Sequence, residues 1–276
     1  IRVAFSNEVT EPMVLDEVNR DMSEVARFYQ ENSYGKMTFA TVYTPLIVLP
    51  YARDWMLDNK RNDYWPLARE FARSLGYDSD SYEVTVVNSY GTADNTSWGG
   101  GINVLLGWGG MHTTAHEIGH ALGIMMHANS FVIGGSSEIN YCNTFDVMGK
   151  GYSVNSQIGA QFKMNMMNWL PMDMGNHNPQ DVSGGVYSPS NGLYRIYAFD
   201  GQNYQAERKY GLSYAGAQSY DLEYRETIGL LENSIVVTVN NHSAVLDTTL
   251  GSTPGTQPAD IASFADAGIA LGKTFN

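Results

Sequence analysis

An α/β (α+β) domain with a mixed sheet, followed by a smaller all-β domain of antiparallel, sandwich-like build, is the fold the sequence predicts. Three observations predict it. Strand-like and helix-like patterns alternate through the first hundred residues, as in a sheet covered by helices. A helical stretch with two histidines four residues apart follows them. Beyond Pro171 the helical periodicity gives way to short alternating segments separated by turn residues. Pro, Gly and Asn concentrate over residues 171–183, which sets the expected domains at 1–171 and 172–276. With 276 residues, 43% of them hydrophobic, the chain suits one large domain or two modest ones.

Residues 1–5 read as a short strand. Over residues 13–33 the apolar positions Leu15, Val18, Met22, Val25, Ala26 and Tyr29 recur at near-helical spacing, and Gly35 suits the C-terminal cap. Residues 37–43 alternate apolar and polar side chains, which predicts a strand. Residues 65–75 form a second helix, with Pro66 in its first turn, a stripe of Leu67, Phe71 and Leu75, and Gly76 past its end. Residues 83–88 and 102–106 are strand-like, with the glycine-rich passage Trp98, Gly99, Gly100, Gly101 before the second. The order β-α-β-α-β-β thus leads into the histidine-bearing helix at 114–123. Residues 123–150 carry loop chemistry without periodicity. A further helix is expected over 156–169, where Ile158, Phe162, Met166 and Trp169 share a face and Pro171 closes it. Strands are then expected at 193–199, 204–210, 220–225, 234–239 and 268–275.

Composition narrows the classes of partner. Sixteen basic residues stand against 29 acidic ones, a formal net charge of −13, and the pI is about 4.7. Such a surface repels nucleic acid and anionic membranes. There is no run of 18 apolar residues, so no membrane span is expected. Cys142 is the single cysteine, which rules out an intramolecular disulfide. The chain begins at Ile1 without an initiator Met or a signal-like segment, as a processed mature product and a trimmed chain both would; a longer precursor is the expectation.

The chemistry concentrates in His116-Glu117-Ile118-Gly119-His120. Histidines four apart on a helix are separated by about 400° of rotation and about 6 Å of rise, so both imidazoles leave one face and reach a single zinc ion. Glu117 is placed to work on a metal-bound water without being a ligand. Gly123 permits a left-handed turn that ends the helix and swings His127 back toward the metal. A zinc-bound water titrates near pH 7 rather than about 15.7. Glu117 would take its proton during attack on a carbonyl and pass it to the leaving amine. His112, one turn before His116, is a rival ligand by spacing. His177 and His242 read as ordinary polar residues.

These residues carry a family likeness. His116, Glu117, His120, Gly123 and His127, followed by Asp146-Val147-Met148-Gly149, resemble the metzincin metallopeptidases, whose motif H-E-x-x-H-x-x-G-x-x-H is followed by a methionine turn. Within that group the chain is most similar to the gametolysin type. The likeness extends to residues 29–36, 127–130, 145–149, 169–171, 222–225 and 266–275, so it spans most of the chain. It implies that His116, His120 and His127 bind zinc, that Glu117 is the general base, and that Met148 forms the hydrophobic floor. It also implies a cleft between an upper α/β subdomain and a lower irregular one. The third family histidine falls ten residues after the first, whereas here Met126 holds that place and His127 comes next. The extra residue lies in a loop, which can absorb it. Glu138 and Asp146 stand as alternative oxygen ligands.

Other residues are weighed on the same basis. Some metzincins place a tyrosine two residues after the methionine; Tyr152, four after Met148, is the candidate here for binding zinc or the oxyanion. Trp98, Gly99, Gly100 and Gly101 lie where metzincins put the edge strand that pairs with substrate, or they simply make a turn. Cys142 reads as a buried thiol rather than a ligand. Asp78, Asp80 and Asp200 are the acidic loop residues open to Ca2+, although no stretch has the spacing of a calcium loop. The function expected is that of a secreted zinc-dependent endopeptidase, made as a zymogen and monomeric by default, with a protein or peptide as substrate. The alternatives are a catalytically silent zinc-containing binding or adhesion module, and a metal hydrolase acting on a non-peptide substrate.

Overall fold

The computed structural model describes residues 1–8, 14–60, 64–89, 97–101, 103–106, 110–131, 138–150, 156–170, 172–173, 185–187, 192–198, 200, 205, 208–215, 219–228, 231–239, 243–246, 248, 267–270 and 272. It is a mixed α/β chain with two mixed sheets and few helices. Contacts divide it into two compact units, Ile1–Tyr29 with Thr38–Met125, and Gln30–Met37 with Met126–Asn276. The first unit therefore ends at the histidine turn, well before the expected boundary at 171.

The first unit is built on β1 (Arg2–Phe5), α1 (Leu15–Asn32), β2 (Leu46–Leu49), α2 (Arg53–Lys60), α3 (Tyr64–Ser74), β3 (Thr85–Asn88), β4 (Ser97–Gly100), β5 (Asn103–Leu106) and α4 (Met111–Ala121). Its sheet runs β2-β1-β3-β5-β4. All pairings are parallel except β4 against β5, which makes β4 an antiparallel edge strand. Val3, Phe5, Ile47, Leu49 and Val87 from the strands pack with Met56, Tyr64, Ala68 and Ala72 from α2 and α3 to form a core. Burial of such apolar surface is the main stabilising term. Helix α1 buries Val18, Val25, Phe28 and Tyr29, the stripe its 3.6-residue period places on one face.

One expectation fails here, and one helix comes unforeseen. Residues 37–43 form no strand, because their alternation is used against α1: Phe39 packs edge-on to Tyr29 at 5.2 Å and the Tyr43 hydroxyl donates to Asn19 Oδ1 at 3.0 Å. The strand lies just beyond, at β2, in the apolar run Leu46-Ile47-Val48-Leu49. Helix α2 was not anticipated, since its sequence is polar and it buries Met56 as its main apolar contact.

The second unit contains β6 (Ser130–Phe131), β7 (Glu138–Ile139), α5 (Ala160–Asn165), β8 (Met172–Asp173), β9 (Gly185–Tyr187), β10 (Lys209–Ala215), β11 (Ser219–Ile228), β12 (Leu231–Val239), β13 (Ala244–Leu246) and β14 (Ile269–Ala270). They form one sheet in the order β7-β6-β13-β12-β11-β10-β9-β8, with β14 on β12. Parallel pairings of β13 with β6, β10 with β9 and β8 with β9 make it mixed rather than wholly antiparallel. Its core includes Cys142, Phe145, Val236, Val245 and Ala267.

The helix expected over 156–169 is confined to α5. Gln157 bridges to Asp146 instead, and Asn168 adopts φ 51°, a left-handed turn that returns Trp169 N–H to the Lys163 carbonyl at 2.8 Å. Residues 193–198 form no strand: Leu193 is fully exposed, and Tyr197 reaches β10 by donating its N–H to the Lys209 carbonyl. The expected strand at 204–210 begins at Lys209, and that at 268–275 is described only as β14.

Candidate metal centre

Helix α4 carries the motif and is fixed at both ends. Gly110 precedes it with φ 105°, and Thr114 donates to the Gly110 carbonyl through its N–H and its hydroxyl. From α1, the buried Tyr29 hydroxyl donates to the Ala115 carbonyl at 2.7 Å. At the C-terminus, Gly123 takes φ 109°, and the amides of Leu122, Gly123 and Ile124 donate to the Ile118, His120 and Gly119 carbonyls. This left-handed exit, which a side chain would strain, reverses the chain one turn after His120.

That reversal has a chemical consequence. It carries the Ile124 carbonyl to His120 Nδ1, at 2.6 Å. A hydrogen bond there places the proton on Nδ1, so that Nε2 is the nitrogen carrying the lone pair. His120 Nε2 stands 3.1 Å from His116 Nε2. Two nitrogens each about 2.0–2.1 Å from one zinc at a tetrahedral angle are about 3.3 Å apart, so this pair fits the ion. Burial lowers the His120 pKa, favouring the neutral, ligating form.

His127 follows in the turn, and its ligand nitrogen, with those of His116 and His120, belongs to a group lying within 4.8 Å of one another. The next residue is clamped: Ala128 N–H donates to the Met148 carbonyl at 2.9 Å, and the Ala128 carbonyl accepts from Asn143 N–H. Met148 is fully buried in a turn held by Asp146, whose carboxylate accepts from the amides of Met148 and Gly159, both at 2.8 Å. At Gly149 there is no room for a side chain, since a Cβ would lie 2.2 Å from the Asn143 carbonyl oxygen.

Glu117 is 7% exposed, and burial pushes its carboxyl up to about 7 while a hydrogen bond from the Gly99 amide opposes the shift. Gly99 lies on edge strand β4, so close to α4 that a Cβ would meet the Glu117 carbonyl oxygen at 2.0 Å. Close backbone approach thus accounts for glycine at that position. Gly100 shares the strand and Gly101 follows it with φ 55°. Trp98 is paired with Leu105.

The remaining candidates are placed elsewhere. His112 is outside the three-histidine group; burial drives its pKa down to about 4. Glu138 accepts from Asn129 Nδ2 at 2.7 Å, and Asp146 is engaged as described, so both oxygen alternatives are committed to other partners. Cys142 is buried with Phe145 and Val236, and burial raises its thiol pKa. Asp78 and Asp80 pair with Arg73, and Asp80 also with Arg69. Asp200 accepts the Glu226 amide. Tyr152, His177 and His242 lie outside the described residues.

Sequence reasoning passed over four contributors: the Tyr29 hydroxyl, the need for Gly99, the Asp146 carboxylate as a turn anchor, and Tyr141, whose ring stacks on His127 with centroids 3.6 Å apart. The glycine run signalled the second; nothing local signalled the fourth. No protein-family model, curated protein or solved structure matches this chain.

Proposed function

We propose that the chain is a secreted zinc-dependent endopeptidase of the metzincin type, similar to the gametolysin group, with His116, His120 and His127 as ligands and Glu117 as general base. The observation that carries this reading is the convergence of three histidine nitrogens within 4.8 Å, two of them on a helix that also carries the buried Glu117 between them in sequence. When bound, zinc would polarise a carbonyl and make water acidic enough to attack near neutral pH.

The chain's own residues do the rest. The buried Glu117 carboxyl, on the same helix as two of the histidines, can accept a proton and return it to a leaving amine. The Gly99 amide holds that carboxylate in place. Strand β4, at the end of its sheet, offers backbone groups along which an extended peptide can pair. That edge favours a polypeptide over a compact non-peptide substrate. No described helix is long and apolar enough to cross a membrane.

The test combines metal content with turnover. The purified protein should hold about one zinc per chain and cleave casein or a peptide library. A chelator should stop cleavage and added zinc restore it. Glu117→Gln should keep the zinc and lose at least about a hundredfold in kcat. Cleavage that survives both chelation and Glu117→Gln overturns the reading; zinc binding without any cleavage by the unaltered protein favours the silent module.

A further inference from the structure

Tyr141 combines two features that general packing does not require of one residue. Its ring lies on the His127 imidazole, with centroids 3.6 Å apart and planes 29° from parallel. Its backbone is held at φ 64°, in the left-handed region that a bulky aromatic residue rarely adopts. The surroundings enforce that conformation. The Tyr141 amide donates to Asn129 Oδ1 at 3.1 Å, and Asn129 Nδ2 donates to Glu138 Oε2 at 2.7 Å. Asn129 is itself buried, two residues after His127. One short polar network therefore ties the strained backbone of Tyr141 to the segment that carries His127. Strain of this kind persists where the surrounding structure over-determines it, and it clusters at functional sites.

We infer that Tyr141 is a positioning residue for the third metal ligand, its ring fixing the plane of the His127 imidazole through a stack that the strained backbone delivers. The inference rests on the zinc reading above. His116 and His120 are oriented by their helix and by the Ile124 carbonyl, whereas His127 lies outside any helix or strand, where orientation comes from tertiary contact. The stack supplies it. An imidazole bound to a divalent cation is also electron-poor, so the electron-rich face of tyrosine stabilises the loaded form over the free one. Removing a group that orients a ligand ordinarily lowers metal affinity by about 10- to 100-fold.

Two variants separate positioning from general stability. Tyr141→Phe keeps the ring. Tyr141→Asn removes it but keeps the amide and accepts the left-handed conformation more readily than tyrosine does. Zinc dissociation constants are measured by competition with a chromophoric chelator, and thermal midpoints on the metal-free proteins. The expected result is a zinc affinity within about threefold of wild type for Tyr141→Phe and about 10- to 100-fold weaker for Tyr141→Asn. The metal-free midpoint of Tyr141→Asn should be equal to or above that of wild type. Wild-type zinc affinity in Tyr141→Asn overturns the inference while leaving the metal site standing. A fall in zinc affinity matched by a lower metal-free midpoint also overturns it, because the tyrosine then serves stability alone. Failure of the unaltered protein to bind zinc overturns the site itself, and the inference with it.

Discussion

Lys163 is fully buried on α5, its ammonium 4.7 Å from the centre of the Tyr34 ring and 3.3 Å from Gln157 Oε1. Burial, followed by the charge of Arg225, lowers its pKa from 10.5 to about 7. The unfolded chain therefore holds the proton up to about pH 10.5 while the folded chain releases it near 7. Between those values stability must rise with pH, by up to about 1.4 kcal/mol per unit from this group. Lys163→Met removes that contribution. Urea denaturation at pH 7, 8 and 9 should show a flatter dependence in the variant than in wild type; parallel curves would contradict the assignment.

At the scale of elements, the contact that shapes the site is β4 against α4. It exists because Gly99 presents no side chain to the Glu117 carbonyl. Gly99→Ala places a methyl group 2.0 Å from a backbone oxygen that helix hydrogen bonding holds in place. Either strand or helix must move, and overpacking of this kind costs about 1–3 kcal/mol. We expect lower stability in urea together with turnover reduced by more than the loss of folded protein explains, since the displaced strand withdraws the Gly99 amide from Glu117. A variant with wild-type kcat per folded molecule would show that β4 does not set the position of the Glu117 carboxyl proposed as base.

At the scale of the chain, the C-terminal strands prove to be structural partners of the turn at residues 146–149. Arg225 on β11 donates from Nη1 to the Phe145 carbonyl at 3.0 Å, and Glu223 accepts the Ala160 amide at 2.5 Å. The two side chains pair with each other at 2.5 Å, both essentially without solvent exposure. From β12's far side, the Ser243 carbonyl accepts from Asn143 Nδ2 at 2.8 Å. A buried ion pair is not in itself a large source of stability, but removing one partner strands the other, at about 3–5 kcal/mol. Arg225→Met should lower stability by that order in denaturant titration, and adding Glu223→Gln should recover part of it. A double variant no more stable than Arg225→Met would show that the stranded charge is not the cause.

How much of this was legible in the sequence follows from distance along the chain. Helices α1, α3 and α4 were readable because 3.6-residue periodicity is a local property, and the metal motif because four-residue spacing on a helix settles direction. Strand β2 was displaced onto residues 37–43, since alternation reports an apolar face without saying whether a sheet or a helix receives it. The sequence by itself determined the helix α4, the shared face of His116 and His120 on it and the turn at Gly123. Only the tertiary structure decided that Gly99 must lack a side chain, that Tyr141 covers His127, and that Arg225 steadies a turn 80 residues away. The physical reason is the same in each case. Those contacts depend on how separate segments meet in space, and no local pattern of residues encodes a meeting place.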